Sequence, residues 1–84
     1  MITVSNHATN ATVSTAFTAD GQTTTEAVRS AFIVVDGVDH NGTIAVAGPP
    51  KWSADFSNVP TGTGAMFKVN GATEGATSSN ITVV

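Results

Sequence analysis

Two alternating segments on either side of a turn-like corner constrain this chain more than any other feature. Residues 52–56 (WSADF) and 65–69 (AMFKV) alternate between apolar and other side chains, and the corner between them, residues 58–64 (NVPTGTG), contains one proline and two glycines. Strict alternation places every second side chain on the same face of a pleated strand. The pattern therefore predicts a hairpin of a strand, a tight corner and a second strand, with Trp52 and Phe67 in the core.

The rest of the chain repeats this pattern in short segments. Further strands are predicted for residues 2–5, 11–19, 43–47 and 81–84, and Ile44 and Val46 are expected to point inward. Asp20-Gly21 is predicted to close its strand, Asn70-Gly71 to form a tight turn, and residues 72–80 to be irregular. Five aromatic residues are expected to share one interior: Phe17, Phe32, Trp52, Phe56 and Phe67.

The stretch Glu26–Val35 fits two structures. Thr23 and Glu26 have the spacing of a helix capping box, and Val28, Phe32 and Val35 fall on one helical face. The run AFIVV is short, rich in β-branched residues and followed by Asp-Gly, which is typical of a strand buried on both faces. The strand is favoured, and a helical turn before it stays an open alternative.

Composition narrows the classes of function. The chain has three Lys and Arg against six Asp and Glu, too few basic residues to neutralise a nucleic acid backbone. Cysteine is absent, so neither a disulfide nor a thiolate metal site is expected. No apolar run approaches the roughly 20 residues of a membrane span. Catalysis is not expected either, because no nucleophile and base are paired by any motif.

About seven short strands with turn signals between them predict an all-β, immunoglobulin-like β-sandwich, and residues 1–84 are expected to form a single domain. The phrase W-S-x-x-F-x-N-V-P-x-G-x-G in residues 52–64, with a terminal I-T-V at 81–83, resembles the bacterial immunoglobulin-like modules of large surface proteins. Pro49-Pro50-Lys51 departs from the usual Gly/Asp lead into the tryptophan. The loop after Val69 also lacks the aspartate-rich phrase of calcium-rich repeats.

The resemblance implies a non-catalytic structural or adhesive module of a bacterial cell-surface, secreted or phage protein. No signal peptide is evident, which leaves either an intracellular or virion-associated protein or a module of a longer exported protein. The resemblance implies a module that is extracellular, at the cell surface or on a virion. Its expected partner is a protein or a glycan surface, with no nucleic acid and no membrane insertion. The oligomeric state stays open. A carbohydrate-binding module is the alternative function.

Two groups of residues are candidate sites. Trp52, beside Lys51, would be a stacking platform for a sugar if its ring were exposed, whereas a buried ring would make it the core residue of the sandwich. Asp36, Asp39 and Asn41 lie in a glycine-punctuated segment and supply the oxygen ligands that calcium prefers. The competing interpretation is a solvated loop of turn residues. No other cofactor is expected.

Overall fold

The computed structural model describes all 84 residues and contains nine β-strands in two packed sheets. In chain order the strands are β1 Ile2–Asn6, β2 Thr12–Val13, β3 Phe17–Thr23, β4 Ser30–Val35, β5 Val38–Asn41, β6 Thr43–Val46, β7 Lys51–Phe56, β8 Gly62–Asn70 and β9 Gly75–Val83. The structure contains no helix that is long and apolar enough to span a membrane.

The strand order is that of an immunoglobulin-like sandwich. One sheet has the order β1-β3-β7-β6, and the other has the order β2-β9-β8-β4-β5. Neighbouring strands are antiparallel except for the short pair β2 and β9, which is parallel. The predicted fold class is confirmed, with nine strands instead of about seven.

The sandwich is elongated, with principal dimensions of 33 × 19 × 19 Å. Strand β1 begins where Ile2 pairs with Thr23, close to the turn that joins β8 to β9. Strand β9 finishes at the end of the five-stranded sheet that is opposite this turn, where Val83 pairs with Gly62. The backbone therefore enters and leaves the sandwich at opposite ends.

Aromatic rings from both sheets meet in the core. Trp52 of β7 stacks on Phe67 of β8 with ring centroids 6.1 Å apart, and Phe56 meets the same Phe67 edge-on at 5.4 Å. Phe17 is half-buried and stacks on Phe56 at 4.8 Å. These four aromatic residues share one interior, as predicted.

The segment from Trp52 to Val69 does not form a hairpin within one sheet. Strands β7 and β8 belong to different sheets, so the corner between them crosses the edge of the sandwich. Val59 in this corner is buried, and its amide donates to the carbonyl of Thr15 at 3.0 Å. Alternation identified both strands but carried no information about which sheet each would join.

The predicted strand over residues 11–19 is also wrong as a single element. It is divided into β2, which pairs with β9, and the beginning of β3, which pairs with β7. Between them, the Ser14 hydroxyl donates to the carbonyl of Ala16 across a bend. Asp20-Gly21 does not close a strand, since β3 continues through it to Thr23.

Two apolar side chains lie on the opposite side from the one predicted. Phe32 pairs with Lys68 and Asn41 on the outer face of the five-stranded sheet, because Ala31 and Ile33 take the inward positions. Val46 is 52% exposed, because a register shift after Ile44 places it opposite Ser53.

The ambiguous stretch resolves as a strand over Ser30–Val35, without a preceding helix. Thr23 does not cap a helix; its hydroxyl donates to the carbonyl of Glu26 and secures the connection before β4. The segment predicted to be irregular is mostly strand, because β9 begins at Gly75. The preceding turn is closed by the Gly71 amide donating to the carbonyl of Glu74 at 2.8 Å.

Candidate functional site

The three residues considered for calcium lie in a β-hairpin, not in a loop. Asp36 and Gly37 have φ of +52° and +78°, so they form the two-residue turn that joins β4 to β5, with Val35 paired to Val38. Positive φ at both central positions is the geometry that Asp-Gly favours in tight hairpins. Asp39 and Asn41 are residues of β5 and pair with Val34 and Phe32.

This hairpin separates the candidate ligands. Asp39 and Asn41 lie on the outer face of the five-stranded sheet, whereas the Asp36 carboxylate lies beside Gly62 at the start of β8. No three His, Cys, Asp or Glu side chains are grouped closely enough to hold a metal ion. The three side chains therefore do not converge on one point in this structure, and calcium binding through them stays a prediction.

Trp52 is only 1% exposed, so its ring is not a stacking platform. Its Nε1 donates to the carbonyl of Thr3 at 2.9 Å, which satisfies the one polar atom of the indole inside the sandwich. Lys51, the other residue considered for ligand binding, is exposed on the outer face of the four-stranded sheet. The pair proposed from sequence is therefore divided between the core and the surface.

A shallow depression of about 410 Å³ lies on the outer face of the four-stranded sheet. Lys51 and Gln22 pair across β7 and β3, and Ser53 pairs with Asp20 one step along. Gly21 and Trp52, whose side-chain positions face the interior, also border the depression. The complete lining is Ser5, Asp20, Gly21, Gln22, Val46, Lys51, Trp52 and Ser53.

The outer face of the five-stranded sheet carries an apolar cluster that we call the apolar face: Phe32, Val34 and Met66. Val34 pairs directly with Met66, and Met66 is 38% exposed. This surface was not predicted from the sequence, because Phe32 was expected to lie in the interior. The signal was present in β4, where inward Ala31 and Ile33 leave Phe32 and Val34, both half-buried, on the outer side of the sheet.

Two charged residues stand at diagonal corners of the apolar face. Asp39 lies beside Val34 on edge strand β5, and Lys68 lies beside Phe32 on strand β8. The only ion pair in the structure joins the Met1 amine to Glu74. Asp39 and Lys68 therefore have no partner of opposite charge within the chain.

Hydroxyl and carboxylate groups link the β3–β4 connection to the β8–β9 turn by hydrogen bonds, at the end of the sandwich where β1 begins. Glu26 accepts from the Thr73 amide at 2.8 Å and from the Thr73 hydroxyl at 2.5 Å. The hydrogen bond from the Thr73 side chain is the main cause that lowers the pKa of Glu26 from 4.5 to about 2. Glu74, bonded to the Met1 amine and to the Thr25 hydroxyl, also has a lowered pKa.

The lowered pKa of Glu26 gives a signed prediction for stability against pH. A carboxylate whose pKa is depressed on folding stabilises the protein above its unfolded pKa, and the contribution is lost as pH falls through the folded pKa. We therefore expect Glu26→Gln to melt at a lower temperature than the parent above pH 4.5, and the difference to shrink towards pH 2. Thermal melts followed by circular dichroism measure this difference.

The control for this prediction is Thr73→Val, which removes the hydroxyl donor and should reproduce part of the same pH-dependent loss. A difference between parent and Glu26→Gln that stays constant over the whole pH range would contradict the assignment.

Comparison of the chain with known protein families, with curated proteins and with solved structures finds no match.

Proposed function

We propose that the protein is a non-catalytic structural and adhesive module of a longer bacterial cell-surface, secreted or phage protein. The observation that carries this proposal is the path of the backbone, which crosses the sandwich along its 33 Å axis from the start of β1 to the end of β9. Copies of such a domain can be joined end to end without covering either sheet. A surface of Thr, Ser and Asn with few charges suits a domain that works outside a cell.

The proposal also accounts for the two different outer faces. The four-stranded sheet presents polar side chains to solvent around the depression, whereas the five-stranded sheet presents Phe32, Val34 and Met66. Contiguous apolar side chains on an otherwise polar surface mark an interaction site more often than isolated ones do. A module that extends a chain and offers one face for contact combines structural and adhesive roles.

Fusion of copies tests the structural role. Proteins with one, two and three copies joined by the same short flexible linker are compared by small-angle X-ray scattering. The maximum dimension is expected to rise by at least the 33 Å length of one module with each added copy. Each fusion is expected to melt at the temperature of the single copy. A maximum dimension that does not grow with copy number, or copies that unfold when joined, would contradict the proposal.

A carbohydrate-binding function is the second candidate, and the depression is the observation that favours it. Asp20, Gln22 and Lys51 bring a carboxylate, an amide and an ammonium group to one concave surface. These groups hydrogen-bond to sugar hydroxyls as both donors and acceptors. The exposed methyl groups of Val46 offer an apolar contact at the rim.

Glycan-array binding tests this second candidate. Gln22→Ala and Lys51→Ala are expected to abolish a glycan signal while the melting temperature is unchanged, because both side chains are exposed. Ser30→Ala, an exposed position on the other sheet, is the matched control and should keep the signal. The absence of any glycan signal from the parent protein, or a signal that both depression variants retain, would contradict carbohydrate binding at this surface.

A further inference from the structure

We infer that the apolar face binds a second copy of this chain, in a face-to-face, two-fold symmetric dimer. The inference names a partner for the adhesive module proposed above and rests on that proposal. It is carried by the pattern of apolar and charged side chains over three adjacent strands, β5, β4 and β8, on the outer side of their sheet.

The pattern consists of two rows that cross the three strands. The first row is Asp39, Val34 and Met66, and the second is Asn41, Phe32 and Lys68. Adjacent strands lie about 4.8 Å apart and next-but-one residues about 6.8 Å apart along a strand. The negative charge and the positive charge therefore occupy opposite corners, with the apolar side chains between them.

This arrangement is self-complementary. In a symmetric dimer the same patch is used by both copies, and two faces that dock do so about an axis lying in the plane of contact. An axis that passes between Val34 and Phe32, perpendicular to the diagonal from Asp39 to Lys68, places Asp39 of each copy over Lys68 of the other. The same rotation brings the Val34–Met66 pairs of the two copies together.

The charges favour a second copy over an unrelated partner. The patch has one acidic and one basic residue, each without an ion-pair partner in the isolated chain, and one rotation satisfies both at once. The molecule has a net charge of −3, so two copies repel each other at long range. The patch itself carries one negative and one positive charge at its corners, so it is locally neutral. The repulsion between two copies is therefore smallest when these patches face each other.

Charge reversal tests the geometry directly. Sedimentation of the single-copy protein is expected to show a monomer–dimer equilibrium. Asp39→Lys and Lys68→Asp are each expected to raise the dimer Kd at least about tenfold, because each brings like charges together at both corners. The double variant D39K/K68D restores opposite charges and is expected to dimerise like the parent. An equimolar mixture of the two single variants is expected to form a heterodimer for the same reason.

Two further variants complete the experiment. Met66→Thr removes apolar contact without changing charge and should weaken the dimer. Asp55→Lys is an exposed reversal on the other sheet and should leave the dimer Kd unchanged. Melting curves of each variant confirm that the domain is folded.

A parent protein that stays monomeric up to about 1 mM would overturn the inference. So would a dimer that neither single reversal weakens, or one that the double variant fails to restore. The scattering experiment is kept independent of these results by joining Lys68→Asp copies, whose apolar faces are not expected to pair. A monomeric parent whose fusions lengthen with copy number would refute self-association and leave the structural role standing.

Discussion

Trp52→Ala is expected to lower the free energy of unfolding by about 3–5 kcal/mol, the usual cost of removing a large buried aromatic side chain. Trp52 is 1% exposed, and its ring stacks on Phe67 of the opposite sheet. A domain of this size has a small margin, since native proteins are stable by only about 5–15 kcal/mol. The variant is therefore expected to lose a large fraction of its stability.

Urea unfolding followed by circular dichroism measures this effect, because the substitution removes the only tryptophan and with it the fluorescence signal. Trp52→Phe is the matched control. It keeps a ring against Phe67 but loses the hydrogen bond from Nε1 to the carbonyl of Thr3, so a smaller loss of roughly 1–3 kcal/mol is expected. Near-parental stability of Trp52→Ala would contradict the role of Trp52 as the central core residue.

The sequence predicted those parts of the fold that depend on local pattern. Alternation located β1, β7 and β8, and it placed Trp52, Phe56 and Phe67 in one interior, whereas a short β-branched run before Asp-Gly located β4. Every alternating strand shows the same pattern, however, so alternation does not indicate which strands become neighbours in a sheet. For this reason the segment around Val59 was interpreted as a hairpin although it joins two sheets.

The two Asp-Gly pairs show the same limit of local signals. Asp36-Gly37 is a tight turn, as the dipeptide favours, whereas Asp20-Gly21 lies in the middle of β3. The difference is not in the dipeptides but in a residue more than thirty positions away. Gly21 pairs with Trp52, and the indole occupies the space beside a residue that has no side chain.

The candidate surfaces were the least predictable features. Calcium binding through Asp36, Asp39 and Asn41 was inferred from residue type, and a hairpin placed the side chains on different surfaces. The depression and the apolar face are each assembled from strands distant in sequence. Alternation in residues 65–69 does set Met66 and Lys68 on the face opposite Phe67, which is where the structure places both of them.

Gly21→Ala is expected to destabilise the protein by about 2–3 kcal/mol, at the upper end of the usual cost of overpacking. An added Cβ at this position would lie 2.0 Å from the carbonyl oxygen of Thr3 and 2.8 Å from Nε1 of Trp52. The first of these atoms belongs to the backbone of β1, which pairs with β3, so it cannot move without disturbing the sheet. The same carbonyl accepts the hydrogen bond of Trp52, so the substitution strains both contacts at once.

Gly64→Ala separates this steric effect from the general cost of replacing glycine. Gly64 has a φ of +68°, but an added Cβ there would meet no atom within 4 Å. Its expected loss is the conformational cost of a left-handed residue, about 1–2 kcal/mol. Chemical unfolding of both variants gives the comparison, and tryptophan emission reports whether the indole of Gly21→Ala becomes exposed. A Gly21→Ala protein more stable than Gly64→Ala, with blue-shifted emission retained, would mean that β1 moves away from the added methyl group. The buried position of the Trp52 ring would then not require that the Thr3 carbonyl lie close to Gly21.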